Sequence, residues 1–428
     1  AGILGSSVVQ TSFNIVKNVV GEGMLSLPAA LAAGTGILPG IGLALCLGGL
    51  AGYTFSLLGR VCHATGGTSH KECCRALDAP IQAQVMAIAN LLKTGMGCWT
   101  YAIVIADNCS RVVHFWGLSG WLAGREGVLI VVALTILAPL CIQKDLSVLS
   151  YTSFVGICGE IFIVGFMQLR YLDGSYRPEG KYFREVPEED RPDISGGINF
   201  GGISVGSFVL FGALSTAFIA HYNAPKYYAQ LRGHSPERFD TAIGLAFMLC
   251  FGIYIWIMAV GYLTFGTNAE GLILNNYAET DPLAAIARVS ISLAVIFGFP
   301  LVFTAFRDSS LAVAGASLNN AMHFYGSTVV LLSLIIIGAC SLDDIGLLNS
   351  LGGSTLGSLI MFVFPGLLCY TCYNFQLKSG GTQEFQIHEY YTAMVVAFVG
   401  LVVVFVGGTV VIIKYASPGM LTPTALLA

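Results

Sequence analysis

The chain has 428 residues, 55% of them hydrophobic and only 10% charged, and its mean hydropathy is +0.76. Soluble domains average about 25% charged residues, so an ordinary soluble domain is excluded. A net charge of −4 leaves no basic face, and nucleic acid is not an expected partner. Most of the 12 cysteines, Cys46, Cys98, Cys141, Cys158, Cys250 and Cys369 among them, lie inside apolar runs without metal-ligand spacing. They read as small membrane-embedded residues rather than disulfide partners or metal ligands. The sequence starts at Ala1 with an apolar stretch almost at once, as expected where an N-terminal segment has been processed or trimmed.

A bilayer core takes about 20 apolar residues per helix. In chain order eleven segments meet that need: 7–33, 37–61, 80–108, 127–143, 147–171, 199–223, 239–265, 283–305, 320–341, 345–374 and 389–414. The predicted class is therefore an all-α, multi-pass membrane protein with its termini on opposite sides. The one long polar connection, at 173–197, has the charge and proline content of a solvated loop and divides the chain. It gives four parts: 1–171, a polar loop at 172–198, 199–374, and a last span with its tail at 375–428. Outside the long loop, Arg60, Lys71, Arg75, Lys144, Lys226, Arg232, Arg238, Arg307 and Lys378 fall on the side of the N-terminus, against Arg111, Arg125, Arg288 and Lys414 opposite, and the loop adds further basic residues among more acidic ones. That bias predicts a cytoplasmic N-terminus and a long loop on the other side. A glycosylation sequon, Asn108-Cys109-Ser110, falls hard against a span end.

The first segment, "NIVKNVVGEGMLSLPAALAAG" at 14–34, holds Lys17, Glu22, Gly21 and Gly23. Charge inside a bilayer costs about 2.5–3.5 kcal/mol per residue on insertion scales, so Lys17 and Glu22 are expected to face protein or water. The glycines let the helix open, which is tolerated at that depth only along a pathway. The sixth segment mirrors it: "VGSFVLFGALSTAFIAHYNAP" at 205–225 carries Gly212, Ser215, Thr216, His221 and Asn223. Two broken helices, opening near Gly21–Gly23 and Gly212–Thr216, in a 5+5 inverted repeat predict a central substrate site.

Several stretches carry a family resemblance. "FNIVKNVVGEGMLSLPAALAAGTGI", "PLCIQKDLSVLSYTSFVG" (139–156), "AFIAHYNAPKYYAQLRGHSPERF" (217–239), "ARVSISLAVIFGFPLVFTAFR" (287–307) and "LDDIGLLNSLGGSTLGSLIMFVFPGLLCY" (342–370) run in the order of, and are similar to, the corresponding segments of the amino acid/auxin permease family. The resemblance implies a LeuT-type fold with span eleven peripheral, and movement of an amino acid between compartments. For a zwitterion, the free N–H groups after Gly23, at Met24 and Leu25, suit a carboxylate, and free carbonyls at the gap in span six suit an ammonium. The expected substrate residues are Gly21, Glu22, Gly23, Met24, Leu25, Ser215, Thr216 and Phe218, with Phe208 and Phe211 as further pocket or packing groups. Sodium-coupled members of that family use an Asn and a Thr where this chain has Lys17 and the run Ile296-Phe297-Gly298-Phe299. Lys17 thus resembles a built-in replacement for sodium.

Glu22 would repel a substrate carboxylate unless protonated or neutralised by Lys17, five residues earlier. Lys93 and Glu160 read equally as a buried brace and as a proton relay, and His221 as a titrating group or a structural one. The expected ion-site and proton-coupling residues are Lys17, Glu22, Glu160 and His221. No nucleophile motif, H-E-x-x-H or phosphate loop is present, so neither enzymatic chemistry nor a cofactor is expected. Two functions remain in view. One is a sodium-independent amino acid transporter, proton-coupled by symport or uncoupled. The other is a transport-inactive relative serving as a sensor or as a subunit of a larger membrane complex. Plasma membrane, vacuole or lysosome, and plastid all stay open as locations.

Overall fold

The computed structural model describes residues 5–143, 150–316, 320–341, 345–380 and 384–416. The Lys144-Asp145-Leu146 and Leu342-Asp343-Asp344 motifs lie outside them. Among the described residues the chain is all helix, joined only by isolated bridges such as Ser6 with Leu231 and Thr35 with Ile203.

The helices are α1 (Val8–Val19), α2 (Leu27–Ala32), α3 (Ile37–Thr65), α4 (His70–Ala76), α5 (Pro80–Phe115), α6 (Arg125–Val132), α7 (Ala138–Ile142), α8 (Ser150–Asp173), α9 (Ser207–Ala217), α10 (Ala224–Gln230), α11 (Pro236–Phe265), α12 (Pro282–Val313), α13 (Ala321–Ser341), α14 (Ile345–Gly352), α15 (Phe364–Ser379), α16 (Ile387–Val402) and α17 (Gly408–Ala416). Their ends follow local chemistry. Ser7 and Gln10 cap α1 reciprocally, through Ser7 N–H to Gln10 Oε1 at 2.9 Å and Gln10 N–H to Ser7 Oγ at 3.2 Å. Asp281 caps α12 by accepting the Leu283 N–H at 3.0 Å, with Pro282 behind it in the first turn. Gly66 closes α3 at φ +68, where a side chain would be strained.

Among the described residues, seven helical stretches are long and apolar enough to cross a membrane, and an eighth joins them if the bent pair Val8–Val19 and Glu22–Ala32 counts as one span. The predicted segments 80–108, 147–171 and 199–223 correspond to α5, α8 and α9, which are not among the seven. The 36 residues of α5 carry Lys93, Asp107 and Arg111, and α9 is only 11 residues long. π-helical turns at Gly353–Gly357 and Leu359–Val363 join α14 to α15 in one long element.

The long connection after α8 is not simply solvated, as its composition suggested. Tyr176, Tyr182 and Val186 in it are buried, and Tyr176 stacks edge-on to Phe265 and Tyr277. Its hydroxyl donates to the buried Asp281 at 3.0 Å. Aromatic side chains spaced among charged ones pin the loop over the ends of α11 and α12.

Candidate functional site

Helix α1 stops at Val20, whose backbone is extended, and resumes as a tight 3-10 turn over Glu22–Ser26 before α2, with a 46° bend. Gly21 and Gly23 serve close approach. A Cβ on Gly21 would stand 3.1 Å from the Tyr101 hydroxyl, and one on Gly23 would stand 3.2 Å from the Ala217 Cα. The first break thus lies where the sequence placed it.

The second does not lie at Gly212–Thr216. Helix α9 runs through both residues to Ala217, and the gap falls at Phe218–Ala220, before the 3-10 turn His221–Asn223 and α10. Gly212 is a contact residue instead of a hinge. Its Cβ would stand 2.3 Å from the Ser350 carbonyl oxygen, and a Cβ on Gly353 would stand 1.7 Å from the Gly212 carbonyl. Small residues here let two helical backbones touch.

The two breaks face one another across a cavity of about 40 Å³. Asn18, Glu22 and Gly23 line it from the first break, Thr216, Ala217 and Tyr222 from the second, and Lys93 and Tyr101 from α5. Both charged groups are buried. The Lys93 Nζ donates to Thr216 Oγ1 at 3.1 Å, and the Thr216 hydroxyl donates to the Asn349 carbonyl at 2.6 Å. Asn349 also donates to Ser26 Oγ at 3.2 Å, and Ser26 to the Gly23 carbonyl at 3.0 Å. Asn18 Oδ1 accepts from Asn223 Nδ2 at 3.2 Å. Each break is therefore tied to the other through side chains of α5, α14 and the turn after α9.

Lys17 lies elsewhere. With Glu160, Val20, Gly21, Tyr101, Val295 and Gly298 it lines a separate void of about 10 Å³ between α1, α8 and α12. Its Nζ and the Glu160 Oε2 are buried without a hydrogen-bond partner. Of the two conditions set for Glu22, protonation or neutralisation by Lys17, the packing does not favour the second. The chain leaves the helix at Val20 and Gly21, both extended, so Lys17 lines the void with Glu160 while Glu22 shares its cavity with Lys93.

The remaining candidates divide. Met24 and Leu25 are fully buried, and the Met24 N–H is already taken by the Gly21 carbonyl at 3.3 Å, so it is not the free donor expected. Ser215 is buried with its hydroxyl unpartnered. Phe218 stacks on Phe247 and meets Tyr254 and Phe251 edge-on, away from the cavity. His221 packs toward α3, with Nε2 at 3.0 Å from Thr54 Oγ1 and 3.1 Å from the Ala51 carbonyl oxygen. Asn108 of the sequon is buried, its amide donating to the Val104 carbonyl at 2.9 Å.

Charged groups inside a bundle of apolar, membrane-length helices face protein or water rather than lipid, and residues 5–413 match the family model described as transmembrane amino acid transporter protein. The chain belongs to that family. It is a multi-pass membrane protein and not an enzyme. Among its relatives, the amino acid transporter AVT6E of Arabidopsis thaliana is 25% identical over 389 residues, covering 85% of this chain and 76% of the relative. Vacuolar amino acid transporter 5 of Schizosaccharomyces pombe is 25% identical over 381 residues, covering 87% and 86%. Sodium-coupled neutral amino acid transporter 7 of Mus musculus is 22% identical over 386 residues, covering 85% and 78%. Lys93, Asn18, Tyr101 and Tyr222 also line the cavity, although sequence reasoning did not place them there. An in-span lysine was the available signal for Lys93, but nothing in the spacing said which carboxylate it would meet.

Proposed function

We propose that the chain is a secondary transporter that moves amino acids across a membrane without sodium, either with protons by symport or uncoupled. The proposed frame is eleven spans in a LeuT-type arrangement, with inverted repeats at 1–171 and 199–374 around broken first and sixth spans. The N-terminus and the loop holding Arg238 are on the cytoplasmic side, and the loop at 172–198 is on the other. The two breaks facing one polar cavity support this reading, as do relatives named for amino acid transport.

Sodium independence rests on one observation: the buried Lys17 Nζ in the void between α1, α8 and α12, beside Val295 and Gly298. A fixed ammonium about 4 Å from a sodium ion opposes it by about 4 kcal/mol at an effective dielectric near 20, and each 1.4 kcal/mol is about tenfold in affinity. Uptake of labelled amino acids by purified protein in liposomes, with sodium replaced by choline at constant pH and ionic strength, tests it. Equal uptake in both media is expected; uptake that rises with sodium would remove Lys17 from the ion position.

A further inference from the structure

The central cavity contains more charge than a neutral zwitterion site needs. Lys93 and Glu22 both line it and both are buried, 6% and 7% exposed. An ammonium has three N–H donors, and among the described residues Lys93 makes one hydrogen bond, to Thr216. No ion pair within 4.0 Å joins it to Glu22, in contrast to the contact between Arg170 and Asp281 at 2.6 Å. The two groups therefore line one small space and are not locked together. At about 40 Å³ the space admits no more than a few waters and is too small for an amino acid, so the structure holds the two groups as they stand between transport events.

We propose that Lys93 and Glu22 are the ionic ligands of the transported amino acid, Lys93 taking its carboxylate and Glu22 its ammonium, and that between transport events each neutralises the other. This rests on the reading of the chain as an amino acid transporter. It places side chains of α5 and the first break beside the backbone ends of the broken helices as ligands for the substrate's two charges.

The physical consequence concerns the return step. A lone charge in a dry site is costly, whereas a balanced pair is much less so. A zwitterion adds no net charge, so a carrier with only one of the two groups would hold an uncompensated charge both loaded and empty, and would change sides slowly in either state. With both present the site is neutral with or without a zwitterion, so the unloaded carrier can also return. The wild type can therefore cross both loaded and empty, and loss of either group alone slows both crossings.

The test uses the full-length protein in liposomes with all twenty labelled L-amino acids. It measures net uptake into amino-acid-free vesicles and exchange into preloaded ones. For the best-transported amino acid, inhibition by its carboxamide, which keeps the ammonium but lacks the carboxylate, is measured as well. Wild type is expected to show both net uptake and exchange, and to bind the carboxamide at least about tenfold more weakly than the amino acid. Lys93→Met is expected to lose net uptake and exchange alike and to lose that discrimination. The double variant Glu22→Gln/Lys93→Met, neutral again, should regain the wild-type melting temperature while its apparent KM stays at least about tenfold raised. A double variant with wild-type KM, or a Lys93→Met variant with wild-type KM and unaltered discrimination, overturns the assignment and leaves the pair as a brace. Absence of flux for all twenty amino acids in the wild type overturns the transporter reading itself.

Discussion

The Oη of Tyr254 lies 2.7 Å from the carbonyl oxygen of Val19, at the end of α1, and 2.8 Å from that of Ala217, at the end of α9. One hydroxyl on α11 thus serves the negative ends of both interrupted helices. It has a single proton to share between two acceptors. Removing it leaves two buried carbonyls without their donor, at a cost of about 1–3 kcal/mol. Tyr254→Phe keeps the ring against Phe218, whose centroid is 4.9 Å away, so packing is preserved. The expected outcome is a lower melting temperature in detergent together with weaker substrate binding. An unchanged melting temperature would show that the hydroxyl does not clasp the breaks.

The contact of Gly212 with α14 and Gly353 makes a second prediction. With a Cβ on Gly353 only 1.7 Å from the Gly212 carbonyl, Gly353→Ala must push two backbones apart. Overpacking of this kind costs about 1–3 kcal/mol and more when backbone has to move. Gly42 and Gly49 meet nothing within 4 Å, so Gly49→Ala in the same bilayer should leave stability unchanged. Thermal unfolding of both variants checks the contrast.

These two cases show what could be read from sequence. The first break was legible because a glycine pair coincides with charge in an apolar run, and both signals point to the same residues. The second was misplaced because Gly212 has the composition of a hinge and the role of a spacer; only the approach of α14, some 140 residues later in the chain, distinguishes them. Likewise, Lys17, Glu22, Lys93 and Glu160 were all visible as in-span charges, but which lysine faces which carboxylate depends on how α1 is oriented between α5 and α8. Periodicity within one helix does not contain that information.

At the far end of the bundle, Asp281 is fully buried and held by Arg170 through contacts of 2.6 and 2.8 Å, with the Tyr176 hydroxyl at 3.0 Å. Arg170→Met leaves that carboxylate uncompensated, which costs about 3–5 kcal/mol for a buried pair. The double variant Arg170→Met/Asp281→Asn should recover most of the loss, because the remaining amide is neutral. A melting-temperature cycle over the four proteins measures it, and equal losses in the single and double variants would argue against a buried ion pair.

His70, on the short connecting helix α4, sits with Nε2 at 3.0 Å from the His221 carbonyl oxygen. Burial pushes its pKa down from 6.5 to about 4, although the carbonyl contact works the other way. The unfolded chain therefore takes up this proton first as pH falls below about 6.5, and the native state loses stability progressively down to about pH 4. Above pH 6.5 the residue contributes no pH dependence. His70→Gln retains an N–H donor for the carbonyl and removes the titration. Between pH 7.5 and 5, wild type is expected to lose more melting temperature than the variant; parallel losses would place the acid sensitivity elsewhere.

The last prediction concerns Lys17 and Glu160, which share a void of about 10 Å³ with neither Nζ nor Oε2 hydrogen-bonded. A pair held as a rigid brace normally satisfies its remaining donors and acceptors; this one leaves them open beside the α1 break. Such a group can give up and regain a proton as the helix moves, because the two states differ little in the bonds that must be broken. We expect Lys17→Ala to abolish uptake driven by an imposed pH gradient while sparing exchange of amino acid at equal pH, since exchange needs the substrate ligands and not the coupling group. Glu160→Gln, which keeps the volume and removes the counter-charge, should weaken the response to the gradient in the same direction. If Lys17→Ala instead depresses both activities equally and lowers the melting temperature, the lysine is a structural counter-ion to Glu160. If neither variant alters the gradient response, amino acid movement through this chain is uncoupled from protons at that site.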